Sequence, residues 1–211
     1  MKYIWLWFFL FSLLFSGGYH ASVSSLSPKI KQRMLSGHSW HRGCPVSLED
    51  LRYLRLIYHD FHGKDTEGEM VVHKEVADEV TQIFAALYTM RYPIRQMRLV
   101  SDFKGSDWQS IEADNTSAFN CRSATGSKKW SKHAYGKAID INPIENPYIA
   151  RSGRIAHKAS LKYRKRVHRA NTYADQAVLV KGDKAVQIFL SHGWKWGGMW
   201  RYVKDYQHFS K

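Results

Sequence analysis

Apolar and polar positions divide the chain unevenly. Tyr3 through Phe15 form an almost unbroken apolar run behind a single positive charge at Lys2, and Ser16, Gly17 and Gly18 close it with small residues. That is the layout of a secretory signal peptide, and the run is shorter than a membrane-spanning helix usually requires. Residues 1–21 are therefore expected to be a leader, with cleavage after Gly18 or Ala21 leaving no stable membrane insertion; an uncleaved anchor is the second reading. Residues 22–46 are rich in Ser, His and Gly, show no period, and read as an N-terminal arm lying over the surface. Ser47 and Asp50 then resemble a capping box. Leu48, Leu51, Leu54, Ile57 and Tyr58 recur at helical spacing, which predicts a first helix to about Phe61. Glu69–Val72 reads as a strand. Val76, Val80, Ile83, Phe84 and Leu87 line one face of a second helix that Pro93 closes off.

Further along, strands are predicted over Ile94–Ser101, Ser117–Arg122 and Ala138–Asn142, with a short helix near Asp107–Ala113 and a last helix from Asp183 to Gly193. Helices and strands do not alternate regularly and no repeat is visible. The economical expectation is α+β: one domain over 47–211, a small mixed or antiparallel sheet with helices packed on it. Residues 144–172 resist assignment. They form a long connection carrying Arg151, Arg154, Lys158, Lys162, Arg164, Lys165, Arg166 and Arg169, to be read either as a solvated face or as a contact for an anionic cell-wall polymer.

Composition sharpens the picture. With 44% hydrophobic and 24% charged residues among 211, the chain is neither disordered nor low-complexity. Lys and Arg number 32 against 18 Asp and Glu, a net charge of +14 that favours an anionic partner. No zinc-finger spacing or RNA-binding aromatic string is present, so nucleic acid is not expected, and the leader points instead to the cell envelope. Export also changes the reading of Cys44 and Cys121, the two cysteines: in an oxidising compartment a bridged pair is favoured over two free thiols.

Two stretches carry candidate chemistry. In Ser131-Lys132-His133-Ala134-Tyr135-Gly136-Lys137-Ala138-Ile139-Asp140, an imidazole and a carboxylate stand seven positions apart around a glycine able to turn the chain. Near the C-terminus, Trp194-Lys195-Trp196-Gly197-Gly198-Met199-Trp200 precedes Asp205-Tyr206-Gln207-His208-Phe209. Two His and one Asp from separate segments make a catalytic zinc set with a position left for water, and a second carboxylate would be the general base. Taken singly, each residue is as ordinary as any satisfied polar side chain. His38, His41 and Cys44 also have a metal-like spacing but lack a fourth ligand. His59, His62 and His192 read as helix-end residues. The three tryptophans read mainly as core, and Tyr135 either lines the pocket or packs on the strand that follows.

The string S-x-H-x-x-G-x-A-x-D, followed by W-x-W-G-G-x-W and D-x-x-H-F, resembles the zinc-dependent D-alanyl-D-alanine carboxypeptidase and L-alanyl-D-glutamate endopeptidase family of peptidoglycan peptidases. The likeness runs over about Gly68–Phe209, with its core motifs in 117–209. It implies one zinc ion on His133, Asp140 and His208, and a catalytic carboxylate at Asp205. It further implies a substrate-facing arginine at Arg122, within Ala118–Ser123, which either assists zinc catalytically at the developing carbonyl oxyanion or holds a substrate carbonyl or carboxylate, and a pocket-shaping serine at Ser131. The expected activity is hydrolysis of a peptidoglycan stem peptide bond in the periplasm or at the cell wall, by a carboxypeptidase or an endopeptidase. The alternative is a non-catalytic wall-binding module of the same fold. It would bind without turnover and has no use for a carboxylate beside a metal.

Overall fold

In the computed structural model, which describes residues 18–168 and 172–211, the first half of the chain is a three-stranded antiparallel sheet backed by a helix. Strand β1 (Ala21–Ser25) pairs with β2 (Leu51–His59), and β2 pairs along its full length with β3 (Asp65–His73). Between β1 and β2 lies helix α1 (Pro28–Ser36). Ser27 caps it by accepting the Ile30 amide, Pro28 supplies a preset φ at its first position, and Gly37 ends it. The region expected as an irregular arm is thus a strand and a helix. Its period is invisible in the sequence because α1 buries only Ile30 and Met34 and β1 buries nothing. Arg33 ties α1 down by donating to both Glu69 and Asp102 at 2.6–2.8 Å. Most of the expected leader lies outside the described residues. At its end, Tyr19 donates to the Thr81 carbonyl at 2.8 Å and Ala21 pairs with Leu56.

The predicted first helix is instead β2. Ser47 does donate to Asp50 at 3.0 Å, but it stabilises a single helical turn over Leu48–Asp50 before the chain extends. From there Leu54, Leu56 and Tyr58 point inward while Arg55 is exposed, a period of two that outweighs the leucine spacing. His59 and His62 are accordingly not at a helix end. His59 is buried in β2, where its Nδ1 meets Asp65 at 2.9 Å, and His62 sits in the hairpin turn that Asp60 organises by accepting the amides of His62 and Lys64. Helix α2 (Ala77–Thr89) follows the prediction and presses Val80, Ile83, Phe84 and Leu87 into the core.

The second half is built from shorter pieces: α3 (Asp107–Glu112), β4 (Ala138–Asp140), β5 (Tyr148–Ile149), α4 (Tyr173–Gln176), α5 (Lys184–Ser191), β6 (Lys195–Trp196), β7 (Lys204–Asp205) and β8 (His208–Ser210). They give a β4-β8-β6 sheet and a β5-β7 pair, all antiparallel. Residues 94–101 and 117–122, predicted as strands, make only isolated bridges such as Met97 with Thr116 and Ser117 with Asp140. Buried asparagines take over the role of a ladder. Asn115 accepts the Arg98 amide and donates to the Arg98 carbonyl, while Asn142 does the same for the Arg95 amide and the Pro93 carbonyl. One apolar cluster joins both halves, running from Leu54, Val72 and Phe84 through Ile139 and Ile141 to Phe189, Trp194, Trp196 and Phe209. This unites the chain as a single α+β domain. Among the described residues no helix is long and apolar enough to cross a membrane.

Candidate metal centre

The Ser131–Asp140 stretch acts as a turn followed by a strand. Ser131 caps a helical turn over Lys132–Tyr135 by accepting the His133 amide at 3.3 Å, and Gly136 then reverses the chain at φ +64°. Only glycine fits there: besides the left-handed backbone, a Cβ would lie 2.5 Å from the His73 amide nitrogen, whose proton the Gly136 carbonyl accepts at 2.9 Å. The turn is therefore clamped to the end of β3. Strand β4 leaves it directly, and its register against β8 places Asp140 opposite His208. Phe209, stacked on Phe189 with ring centres 3.9 Å apart, and buried Trp196 hold β8 in place from beneath. Trp194 and Trp196 are core, as expected, whereas Trp200 is exposed beside His208, ring centres 5.4 Å apart.

His133, Asp140 and His208 are all buried and converge on one point. His133 Nε2 lies 3.1 Å from Asp140 Oδ2 and 3.2 Å from His208 Nδ1, and His208 Nδ1 lies 2.9 Å from Asp140 Oδ1. Metal bonds of about 2.0–2.2 Å at tetrahedral angles would set neighbouring donors about 3.3–3.6 Å apart, so the trio needs to open only slightly to take an ion. His133 Nδ1 is 2.6 Å from the Ala118 carbonyl, which can only accept, so Nδ1 carries a hydrogen and Nε2 is the ring atom that faces Asp140 and His208. Holding one ring nitrogen on a carbonyl leaves the other available as a metal donor. Burial opposes ionisation of Asp140, but His133 and His208 outweigh it and hold its carboxyl far below the ordinary range. At His208 burial lowers the imidazole, yet the bond to Asp140 leaves it raised.

Asp205, on β7, lines the same cleft. Its Oδ1 is buried without a hydrogen-bond partner, and burial, then the charge of Asp140, pushes its pKa up to about 7. The β7 backbone runs so close to Gly197 that a Cβ there would lie 2.5 Å from the Asp205 carbonyl oxygen. Arg122 also lines the cleft. It pairs with Asp107 at 2.9 Å and donates through Nη1 to the Ser123 carbonyl at 3.2 Å. Ser131 borders the cleft too, but its side chain serves as the cap. Tyr135 is elsewhere: exposed, it borders a separate depression with Pro45, His73 and Lys137, because Gly136 turns the chain away just after it.

The cleft, about 890 Å³, is walled by α3, by residues 143–160 and by residues 200–210. Sequence reasoning missed three contributors. Asp107 and Trp108 lie on α3, and Trp108, more than half exposed, packs on His157, whose Nδ1 is held by Glu112 at 2.5 Å. Trp108 and Glu112 carry no motif, and the pairing of residues on α3 with others far along the chain is a product of the tertiary fold alone.

Cys44 and Cys121 form a disulfide, one residue before Arg122. A second metal site on His38, His41 and Cys44 is thereby overturned, since the Cys44 sulfur is no thiolate. The basic connection keeps Arg151, Arg154, Lys158, Lys162, Arg164 and Lys165 exposed. Arg166 is drawn inward to donate to the carbonyls of Glu145, Tyr163 and Leu179 and to Asn146 Oδ1, and Arg164 donates to the Gly153 carbonyl. Arg169 lies outside the described residues.

No curated protein and no solved structure matches the chain. Residues 125–211 match a family model described as D-alanyl-D-alanine carboxypeptidase. Arg122, Cys121 and the N-terminal sheet fall outside the matched segment, whereas His133, Asp140, Asp205 and His208 fall within it, which supports the family resemblance drawn from the two motifs.

Proposed function

We propose that the protein is a single-zinc peptidase that hydrolyses a peptide bond of the peptidoglycan stem, acting outside the cytoplasm after removal of its leader. The observation that carries this reading is the convergence of the His133, Asp140 and His208 donor atoms in a cleft that also holds a buried, unpartnered carboxylate oxygen of Asp205. Zinc, when bound, supplies Lewis acidity and brings the pKa of its water from about 15.7 toward about 7. His133 contributes Nε2 because the Ala118 carbonyl fixes the proton on Nδ1, and Asp140 joins His208 across the strand pair. Asp205 Oδ1 takes the proton of the attacking water and returns it to the departing amine. Its buried Oδ1 has no hydrogen-bond partner to give up for that task. Arg122 holds a carbonyl or carboxylate of the substrate. A binding module would gain nothing from burying Asp205 beside Asp140, since two like charges in one site cost stability.

The bond cut is either the terminal D-Ala-D-Ala link or the internal L-Ala-D-Glu link. Incubating the purified protein with defined muropeptides and weighing the products identifies the bond. Cleavage should stop with a chelator and return with zinc, and the absence of zinc-dependent cleavage at either bond would refute the enzyme reading.

A further inference from the structure

Arg122 stands outside regular structure, in a segment joined to its neighbours by isolated bridges, and a long side chain so placed loses rotamer entropy whenever it holds a substrate. Two contacts limit that freedom. Nη2 meets Asp107 Oδ1 at 2.9 Å and Nη1 donates to the Ser123 carbonyl at 3.2 Å, so the fork is gripped at both terminal nitrogens. The backbone on either side is fixed as well: the disulfide precedes it, the Arg122 carbonyl accepts the Ser131 amide at 3.1 Å, and the Arg122 amide donates to the Asn120 carbonyl at 2.9 Å. Asp107 itself is anchored in the first turn of α3, whose cap Ser106 accepts the Gln109 amide at 3.2 Å. Asp107, Arg122 and Ser131 all border the cleft that contains Asp205 and His208.

We propose that Asp107 is a positioning residue that presets the Arg122 guanidinium for the substrate's carbonyl or carboxylate. The role given to Arg122 rests on the peptidase reading, but the grip of Asp107 on it does not. With the guanidinium fork already oriented, less is lost when the substrate is engaged. Beyond the two used, one hydrogen remains on each terminal nitrogen, while Nε is buried without a partner. Removing the carboxylate frees the arginine, so its loss weakens binding in ground and transition states alike and appears in KM.

The test uses the zinc-loaded, disulfide-intact protein. Asp107→Asn should raise KM for the cleaved muropeptide about tenfold and leave kcat within about twofold, and Asp107→Glu should recover part of the loss. In an Arg122→Ala background Asp107→Asn should add nothing, because the two act as one unit. A wild-type KM for Asp107→Asn, or an equal loss in both backgrounds, overturns the proposal. A second readout needs no turnover. The Nε–H resonance of the Arg122 side chain, assigned by its absence in Arg122→Lys, should move or broaden in Asp107→Asn, and an unchanged resonance also overturns the proposal. A wild-type protein that cuts neither bond would strike the peptidase reading, leaving this resonance to decide whether Asp107 holds Arg122.

Discussion

The two halves of the molecule solve different problems. Residues 51–89 are two nine-residue strands and a thirteen-residue helix, with register and burial set by side-chain period. From residue 113 onward, strands shrink to two or three residues and turns, buried asparagines and a positive-φ glycine do the positioning. All four groups of the candidate centre belong to the irregular half. Convergent side chains from distant segments need a backbone that changes direction within a few residues, and long ladders do not permit that. The regular half supplies what the irregular half lacks. Val71 accepts the Phe119 amide at 3.1 Å, the end of β3 clamps Gly136, and the shared core reaches Phe209. Scaffold residues should therefore control stability, and site residues should control chemistry.

The largest effect falls on the chemical side of that division. Asp205→Asn should lower turnover by about 10²–10⁴-fold while bound metal and melting temperature hold, as steady-state kinetics with metal analysis would show. Turnover near the wild-type value would remove Asp205 from the reaction. The opposite case is Phe84→Ala in α2, which should cost about 3–5 kcal/mol in denaturant unfolding yet leave kcat of the folded protein unchanged, since the ring is buried in the core and does not line the cleft. Gly136→Ala probes the joint between the halves. It should cost about 1–3 kcal/mol, from backbone strain and the clash with the His73 amide, and weaken metal affinity because His133 sits on the same turn. A loss of stability with full metal affinity would separate the joint from the site.

A smaller effect concerns the wall of the cleft. Burial, and next the charge of Asp114, raises the Glu145 carboxyl to about 9, well above its unfolded value. Whatever stability the neutral carboxyl contributes is complete at acidic pH and is lost as pH climbs from the unfolded pKa through about 9. Glu145→Gln should flatten that decline and raise the melting temperature at pH 8 by about 2–4 °C for each kcal/mol recovered. An unchanged pH profile would show that this carboxyl does not govern the stability of the wall.

How much of this was legible in sequence depended on whether the signal was local. Helices α2, α3 and α5 were readable because their apolar faces or caps lie within a few turns, and the residues of the candidate centre could be picked out because each motif that carries them spans ten residues or fewer. Strand β2 was misread because Leu48, Leu51 and Leu54 keep a helical spacing, whereas pairing with β3 from Leu51↔His73 to His59↔Asp65 is a long-range fact. Residues 94–101 and 117–122 have strand-like composition, but each meets its neighbours through single backbone bonds, such as Phe119 to Val71 and Ser117 to Asp140, while the Arg95 and Arg98 amides go to the side chains of Asn142 and Asn115, so no continuous ladder forms. Asp107 illustrates the remaining limit. An aspartate in the first turn of a short helix reads as a favourable dipole contact, and nothing local announces that Arg122 will fold back onto it.

The central claim is that His133, Asp140 and His208 grip one metal ion. Zinc-edge anomalous diffraction from crystals of the zinc-loaded protein tests it directly. One peak should appear among these three residues, with two nitrogens and one oxygen at about 2.0–2.2 Å, and it should vanish in His133→Ala. A peak on other side chains, or none at full zinc loading, would contradict the account.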